Sequence, residues 1–519
     1  MQKPSIGGAV PRLLTLSLAI ILASSILTTT HEDQRFKIIC TGNIADYDAE
    51  VSVTIDFNQI LALNNLSLGV NIGHDFDFAK WRNDPTLRAK AAACNFHQIR
   101  LFVHEIQPCT QWNETTHKGE YSWELFDRTI ERVLEMGAEP LLVVATGNYD
   151  TKYWIPSGMI GDYDGSRFPS NESFASFCAE LVKHCNIDKK WGIKYWEIWN
   201  EPNFYDTNET TDQSYVDYGL IANFTKTFNN AAQSMHDIDP TILCGHGFSA
   251  IKSFFDYFMN NTEQLGFFSI HDYDAHATKC YRQEYYKDED AIMADAPLIG
   301  YQKPGLWKTY TPTELQQKWN ERHLKELPVL ITETNVNSAL TNGTDPRIQT
   351  IFGATWYAEK IRSAILSNIT YCAYFMLACD NSDHWNTTEP THGAGFGMMN
   401  STSPYEEWYP YFTNYLLGNE LSQGYRIYNS STSDFNKVTQ LAWTTKTHYN
   451  ILLIGKTTAN ILTHIEIENP TLPNQTTASI FKIDGNYKGI QSTYLSLTNN
   501  FPVSLNGYSI VLIKIPLQA

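Results

Sequence analysis

Two short stretches place a glutamate where an extended apolar run stops. In Lys194-Tyr195-Trp196-Glu197-Ile198-Trp199-Asn200-Glu201-Pro202-Asn203 an aromatic-rich strand ends at Asn-Glu-Pro. Proline cannot continue a sheet ladder, so Glu201 falls at or just past the strand's C-terminal end. In Pro328-Val329-Leu330-Ile331-Thr332-Glu333-Thr334-Asn335 a second apolar strand runs into Glu333. Two carboxylates at strand ends can divide acid and base work, one protonated and one ionised, when their surroundings separate their pKa values. Arg100, inside the apolar run Ile99-Arg100-Leu101-Phe102, is a charge that requires a buried acidic partner. His271 and Tyr273 lie two apart and share one strand face, which leaves Asp272 and Asp274 on the other. Asn200 offers a donor and an acceptor beside Glu201. Glu197, deeper in the strand, reads as an internal polar partner, and Trp196 and Trp199 read as packing residues. Further candidates follow other strands: His74 and Asp75, His104 and Glu105, Asn148 and Tyr149, and Trp385, whose indole suits stacking on a flat ligand.

Eight short apolar runs carry or precede these positions: Leu68–Ile72, His97–Val103, Glu139–Val144, Lys194–Trp199, Thr241–Cys244, Phe267–His271, Pro328–Thr332 and Tyr371–Ala378. Helical patterns separate them. Asp84-Pro85 is a cap followed by proline at the first helical position. Trp123 to Met136 places Leu125, Ile130, Val133 and Leu134 on one face and stops at Gly137. Others are Glu172–His184, Gln213–His236, Ala250–Met259, Pro312–Leu327 and Thr350–Leu366. Eight βα units point to a (β/α)₈ barrel, which gathers functional side chains at the C-terminal ends of its strands and sets Glu201 against Glu333 across the mouth. An open doubly wound sheet would want a GxGxxG turn after the first strand, and Gly69-Val70-Asn71-Ile72-Gly73 lacks that spacing. Beyond residue 405 the pattern becomes short strands at roughly ten-residue spacing: Val438–Trp443, Tyr449–Ile454, Thr463–Ile467, Ala478–Ile483, Ser492–Leu497 and Ser509–Ile515. The expected fold is α/β, a TIM barrel over 62–405 with an accessory all-β sandwich over 406–519, joined by strands from 31–61.

The 519-residue chain carries 38 Lys+Arg against 56 Asp+Glu, a formal charge of -18. That balance disfavours nucleic acid, whose phosphates demand a basic face. Lys3 and Arg12 precede an apolar run from Leu13 to Leu27, the pattern of a signal peptide over 1–30, or of an anchor if uncleaved; no other run is long enough to span a membrane. Asn-x-Ser/Thr recurs at Asn65, Asn113, Asn171, Asn208, Asn223, Asn260, Asn342, Asn368, Asn386, Asn400, Asn429 and Asn474, as in a secreted, extracellular or cell-surface glycoprotein. The nine cysteines show no zinc spacing. In such a compartment some are expected to pair, with Cys244 and Cys372 reading as buried thiols. No cofactor or metal is called for: a metal-dependent barrel hydrolase would want His-x-His after the first strand, which Gly73-His74-Asp75 does not supply.

Trp199-Asn200-Glu201-Pro202 and Ile331-Thr332-Glu333 resemble the acid/base and nucleophile motifs of the retaining glycoside hydrolases of clan A, most nearly those of family 39, with its β-xylosidases, α-L-iduronidases and endoglycosidases. The resemblance covers roughly residues 62 to 405. It implies a retaining glycosidase acting on β-linked oligo- or polysaccharide through a covalent intermediate. Glu201 would be the acid/base and Glu333 the nucleophile. Arg100, His271 and Tyr273 would support the nucleophile, and Asn200 would meet the sugar 2-hydroxyl; His74 and Trp385 are further candidates for the substrate loops. The competing reading is a non-catalytic carbohydrate-binding or cell-surface protein on the same fold.

Overall fold

The computed structural model describes residues 47–73, 78–145, 156, 158–159, 169–202, 218–247, 252–275, 288–300, 310–338, 345–379, 395–469, 472 and 476–517. The expectations for His74, Asp75, Asn148, Tyr149 and Trp385, and for the apolar run near the N-terminus, fall outside these residues.

A long strand β1 (Ala49–Leu63) precedes the first barrel strand, β2 (Ser67–Ile72), which is followed by β3 (Gln98–Phe102). A hairpin of β4 (Cys109–Asn113) and β5 (Lys118–Tyr121), which the sequence pattern did not reveal, separates β3 from β6 (Glu139–Val144). The barrel continues through β7 (Tyr195–Ile198), β8 (Leu243–His246), β9 (Phe268–Ala275), β10 (Val329–Asn337) and β11 (Tyr371–Tyr374). Its eight strands pair in parallel in chain order, with β11 returning to β2, and a single bridge between Gly245 and Phe267 links β8 to β9. The sheet is a (β/α)₈ barrel and not an open doubly wound one.

Local chemistry explains the helices. The Asp84 carboxylate accepts the Thr86 N–H at 2.8 Å and caps Pro85–Ala93. Thr311 and Glu314 form a reciprocal capping box at the start of Pro312–His323. Glu124–Glu135 ends before Gly137, which takes a φ of +76°. The apolar face of that helix differs from expectation. Phe126, Thr129, Ile130 and Val133 are buried, while Leu125 is 46% exposed. The stripe is therefore rotated by about one position from the expected one.

Eight further strands follow the barrel: β12 (Arg426–Thr432), β13 (Val438–Thr444), β14 (His448–Gly455), β15 (Asn460–Asn469), β16 (Thr476–Asp484), β17 (Tyr487–Leu497), β18 (Asn500–Asn506) and β19 (Ser509–Pro516). They form one continuous nine-stranded sheet with β1, which pairs antiparallel with β12 and parallel with β15. Val51, Val53 and Ile55 from β1 share a core with Ile451, Ile480, Val503 and Ile513, so the sheet folds over itself around one apolar interior. On β13, β14 and β19 the alternate residues Leu441, Leu452, Ile454, Ile510 and Leu512 pack into the barrel's core instead. These strands are buried on both faces, which is why they read as nearly continuous apolar runs. A helix at Tyr409–Glu420 lies against the barrel's own helices, where Tyr357 donates to Asn414 at 2.9 Å.

Cys244 and Cys372 are buried thiols, as expected, and the other cysteines among the described residues are thiols too, although some are expected to pair. Cys94, Cys109, Cys178, Cys185, Cys244, Cys372 and Cys379 are all buried free thiols, and no disulfide occurs among the described residues. Each is packed into the barrel core, where a thiol behaves as a small apolar side chain. Burial raises the Cys178 and Cys185 thiols well above their usual range. Among the described residues no helix is long and apolar enough to cross a membrane.

Candidate active site

Polar side chains converge at the C-terminal ends of the barrel strands around one guanidinium. Arg100 projects from β3 into the barrel with no exposure to solvent. Its Nε donates to Glu197 Oε2 at 2.6 Å. Its Nη1 donates to Asn71 Oδ1 at 2.9 Å and to Glu333 Oε1 at 2.7 Å, and its Nη2 donates to Asn200 Oδ1 at 2.8 Å. Four strands are thereby tied to one planar fork, the geometry for which arginine is suited and lysine is not. Asn71 is oriented in turn by donating to the Thr332 and Tyr374 carbonyls at 2.9 and 3.3 Å.

Glu201 reaches the site through an unusual backbone path. β7 stops at Ile198, and both Trp199 (φ +72°) and Glu201 (φ +46°) adopt the left-handed region, which costs a non-glycine residue energy and marks functional sites. The Trp199 N–H still bonds to the Val144 carbonyl at 2.8 Å, and the Glu201 N–H bonds to the Gly247 carbonyl. Gly247 permits this close approach, since a Cβ there would meet the Trp199 carbonyl oxygen at 2.6 Å. Pro202 then prevents the strand from resuming. Trp196 and Trp199 are both fully buried packing residues, the latter edge-on to Phe174 at 5.6 Å.

Glu333 is placed by a different device. The pairing of β10 with β9 slips between Ile331 and Glu333, and that with β11 slips between Ile331 and Thr334. A bulge of this kind lets two successive residues face the same way. Thr332 Oγ1 bonds to Glu197 Oε1 at 3.1 Å while Glu333 meets Arg100, so both side chains enter the barrel. From β9, Tyr273 donates its hydroxyl to Glu333 Oε2 at 2.8 Å. His271 Nδ1 lies 2.7 Å from Glu201 Oε1 and 3.4 Å from Glu333 Oε2. The outer face of the same strand is clamped separately, with buried Lys360 bonding to Asp272 at 2.8 Å and to Asp274 at 3.4 Å.

These surroundings act unequally on the carboxylates. Burial alone would raise the Glu333 carboxyl, but the charges of His271 and Arg100 and the hydrogen bonds from Tyr273 and Arg100 outweigh it and hold the group below the usual glutamate range. Burial would likewise depress His271, and the Glu333 and Glu201 carboxylates outweigh it and raise the imidazole. Burial, then Glu333 and Glu201, push the Tyr273 phenol well above its usual range, so it stays a donor. Glu201 retains 22% side-chain exposure against 8% for Glu333. One carboxylate is thus buried, multiply bonded and ionised; the other borders solvent.

Glu201, His271 and Glu333 each bring one ligating atom within 4.8 Å of the others, the grouping among the described residues closest to a metal site. Both oxygens of Glu333 are already engaged, one by the Arg100 cation, which opposes a second positive charge beside it. The set is better suited to sharing protons. It can deliver a proton from one side of a bond and a nucleophilic oxygen from the other.

Asn200, Glu201, His271, Tyr273, Arg100 and Glu333 are brought together in this cluster; His74 and Trp385 lie outside the described residues. His104 is buried on the turn after β3, with its ring 5.5 Å from that of Phe102. Sequence reasoning overlooked Asn71, Ser269 and Thr332. Their signal was partial: Asn71 and Ser269 each sit between two apolar residues, as Arg100 does, while Thr332 directly follows the apolar run Val329-Leu330-Ile331.

The fold is that of a (β/α)₈ barrel with an all-β accessory sheet, and solved structures share it across nearly the whole chain. A monomeric β-xylosidase from Caulobacter crescentus CB15 superposes with a TM-score of 0.64 at 14% identity, over 90% of this chain and 100% of that one. The GH39 enzyme from Xanthomonas axonopodis pv. citri gives 0.64 at 16% identity, over 91% and 98%. The α-L-arabinofuranosidase from Thermotoga maritima gives 0.62 at 11% identity, over 90% and 100%. No protein-family model and no curated protein sequence matches the chain.

Proposed function

We propose that the protein is a retaining glycoside hydrolase acting on β-linked oligo- or polysaccharide. The observation that carries this reading is that an oxygen of Glu201 and an oxygen of Glu333 lie within 4.8 Å of each other at the barrel mouth. Retaining glycosidases hold their carboxyl groups about 5–5.5 Å apart, whereas inverting ones leave a wider gap for water. Glu333 attacks the anomeric carbon as its bond to the leaving oxygen breaks, and Glu201 gives that oxygen its proton. Water then attacks the same carbon, loses a proton to Glu201 and releases Glu333. Asn200, fixed by Arg100, would bond to the sugar 2-hydroxyl, as the resemblance implies. The same folds in a β-xylosidase and a GH39 enzyme support the reading.

The test is a panel of nitrophenyl glycosides, followed by labelling with a 2-deoxy-2-fluoro glycoside and peptide mass analysis. Turnover and a label on Glu333 are expected. Product of inverted configuration would overturn retention, and turnover undiminished in Glu333→Gln would overturn the whole assignment.

We also propose that the protein is secreted and glycosylated. The exposure of the sequon residues Asn113, Asn260 and Asn429 supports this. Enzymatic removal of N-glycans from the native protein should lower its mass; an unchanged mass would count against it.

A further inference from the structure

Beneath Arg100 lies a second, sealed carboxylate. Glu197 has no solvent exposure and cannot touch a substrate. One of its oxygens takes the Arg100 Nε–H, and the other meets the hydroxyls of Ser269 and Thr332, which lie 2.6 Å from each other. Arg100 is therefore held between two anions, one below and one at the mouth, and its remaining partners Asn71 and Asn200 are neutral amides. A third buried charge is costly unless it is paired and hydrogen-bonded, and Glu197 is both.

We infer that Glu197, seated on Ser269 and Thr332, is a positioning residue that keeps Arg100 paired while Glu333 is esterified. The inference rests on the glycosidase reading. When the bond from Glu333 to the anomeric carbon forms and the glycosidic bond breaks, Glu333 loses its charge. Without Glu197, Arg100 would then be a fully buried cation facing only amides and the Phe102 ring; Glu197 remains as its counterion. In the resting site Glu197 also takes a share of the guanidinium, so Glu333 is stabilised without being bound too firmly to react. The other groups facing Glu333 are His271 and Tyr273 from β9 and Glu201 beyond β7.

The experiment is the pH profile of kcat/KM and the pre-steady-state burst on an activated aryl glycoside, for which hydrolysis of the ester is the slow step. In Glu197→Gln, Arg100 acts on Glu333 alone and the acidic limb should move to lower pH. The burst should shrink, because the esterified enzyme strands Arg100, and kcat/KM should fall on the order of a hundredfold, the rate equivalent of unpairing a buried charge. Ser269→Ala keeps every charge but frees Glu197 to hold Arg100 more tightly, and should move the limb the other way. A burst and limb that stay in place in Glu197→Gln overturn the inference. If that variant does not fold, an unmoved limb in Ser269→Ala does so. Full activity in Glu333→Gln would instead overturn the glycosidase reading beneath it.

Discussion

The ends of β7 and β10 each deliver a glutamate to the same space, by opposite means. β7 is short and breaks into two left-handed residues, which swing Glu201 out toward solvent on a bent backbone. β10 runs on past Glu333 to Asn337 and turns that side chain inward with a slip in register. The bent end leaves a carboxyl that meets the His271 imidazole and stays partly exposed. The straight end produces a carboxyl gripped by a guanidinium and a phenol. Two identical side chains are thereby made chemically unlike, and the difference lies in the backbone before it lies in the partners.

The largest effect expected is that of Glu333→Gln, which keeps the shape of the straight end and removes its charge. Aryl glycoside turnover should fall on the order of 10⁴-fold or more, the scale on which loss of a nucleophile is felt. Steady-state kinetics on the purified variant checks it. Glu201→Gln at the bent end should cost about 10²–10⁴-fold, as loss of an acid/base group does. That loss should be least for leaving groups that need no proton, so kcat/KM plotted against leaving-group pKa should steepen. A flat plot would mean that the two ends are not divided as described.

Arg100→Met sharpens the contrast from below. It leaves Glu197 and Glu333 facing each other without a cation, and about 3–5 kcal/mol of stability should go with it. The acidic limb of kcat/KM should rise, because the cation that helps lower Glu333 is absent. Denaturant melts and pH profiles measure the two effects. Glu333 is lowered in the folded protein, so its contribution is present above the ordinary glutamate pKa and is lost as pH falls through the lowered value. His271 is raised, so its contribution is present below the ordinary histidine pKa and is lost as pH climbs through the raised one. Thermal stability should therefore pass through a maximum between them, and His271→Asn should flatten the alkaline side.

The smallest effect should come from the accessory sheet. Ile513→Val, in the fully buried core around β1, should cost about 1 kcal/mol of stability. It should leave the pH profile untouched, as measured by melting temperature and kinetics in parallel.

The barrel was legible because parallel strands buried on both faces write themselves as apolar runs separated by helical periods, and all eight appeared where expected. The strands β12 and β18 escaped notice. β12 is Arg-Ile-Tyr-Asn-Ser-Ser-Thr, mostly polar, whereas β18 is Asn-Phe-Pro-Val-Ser-Leu-Asn, whose alternation of buried Phe501, Val503 and Leu505 is a strand pattern interrupted by Pro502. The strand character of β12 comes from its ladders to β1 and β13, which no local pattern records, while β18 pairs with β15. At the site, Asn-Glu-Pro announces its own geometry because proline stops a strand. The slip at Thr332 and Glu333 announces nothing. A strict period of two would turn one of those side chains away from the barrel, and only the pairing with both neighbours shows that neither turns away. Glu197 was readable as an internal partner, but not as the second anion paired with Arg100, because that depends on which way Arg100 points.

The placement of β1 carries a consequence for biosynthesis. Val53 aligns with Thr432 on one side and Ile465 on the other, so this strand is an interior member of its sheet and not an added edge. At translation rates of about 5–20 residues per second, it emerges tens of seconds before either neighbour exists. Throughout that interval its two rows of amides and carbonyls are open to any passing extended chain, and the barrel between must assemble while tethered to it. A ribosome-bound fragment ending before β12 should therefore aggregate or recruit a chaperone through β1, and a C-terminal fragment lacking it should be left with a gap in the middle of its sheet.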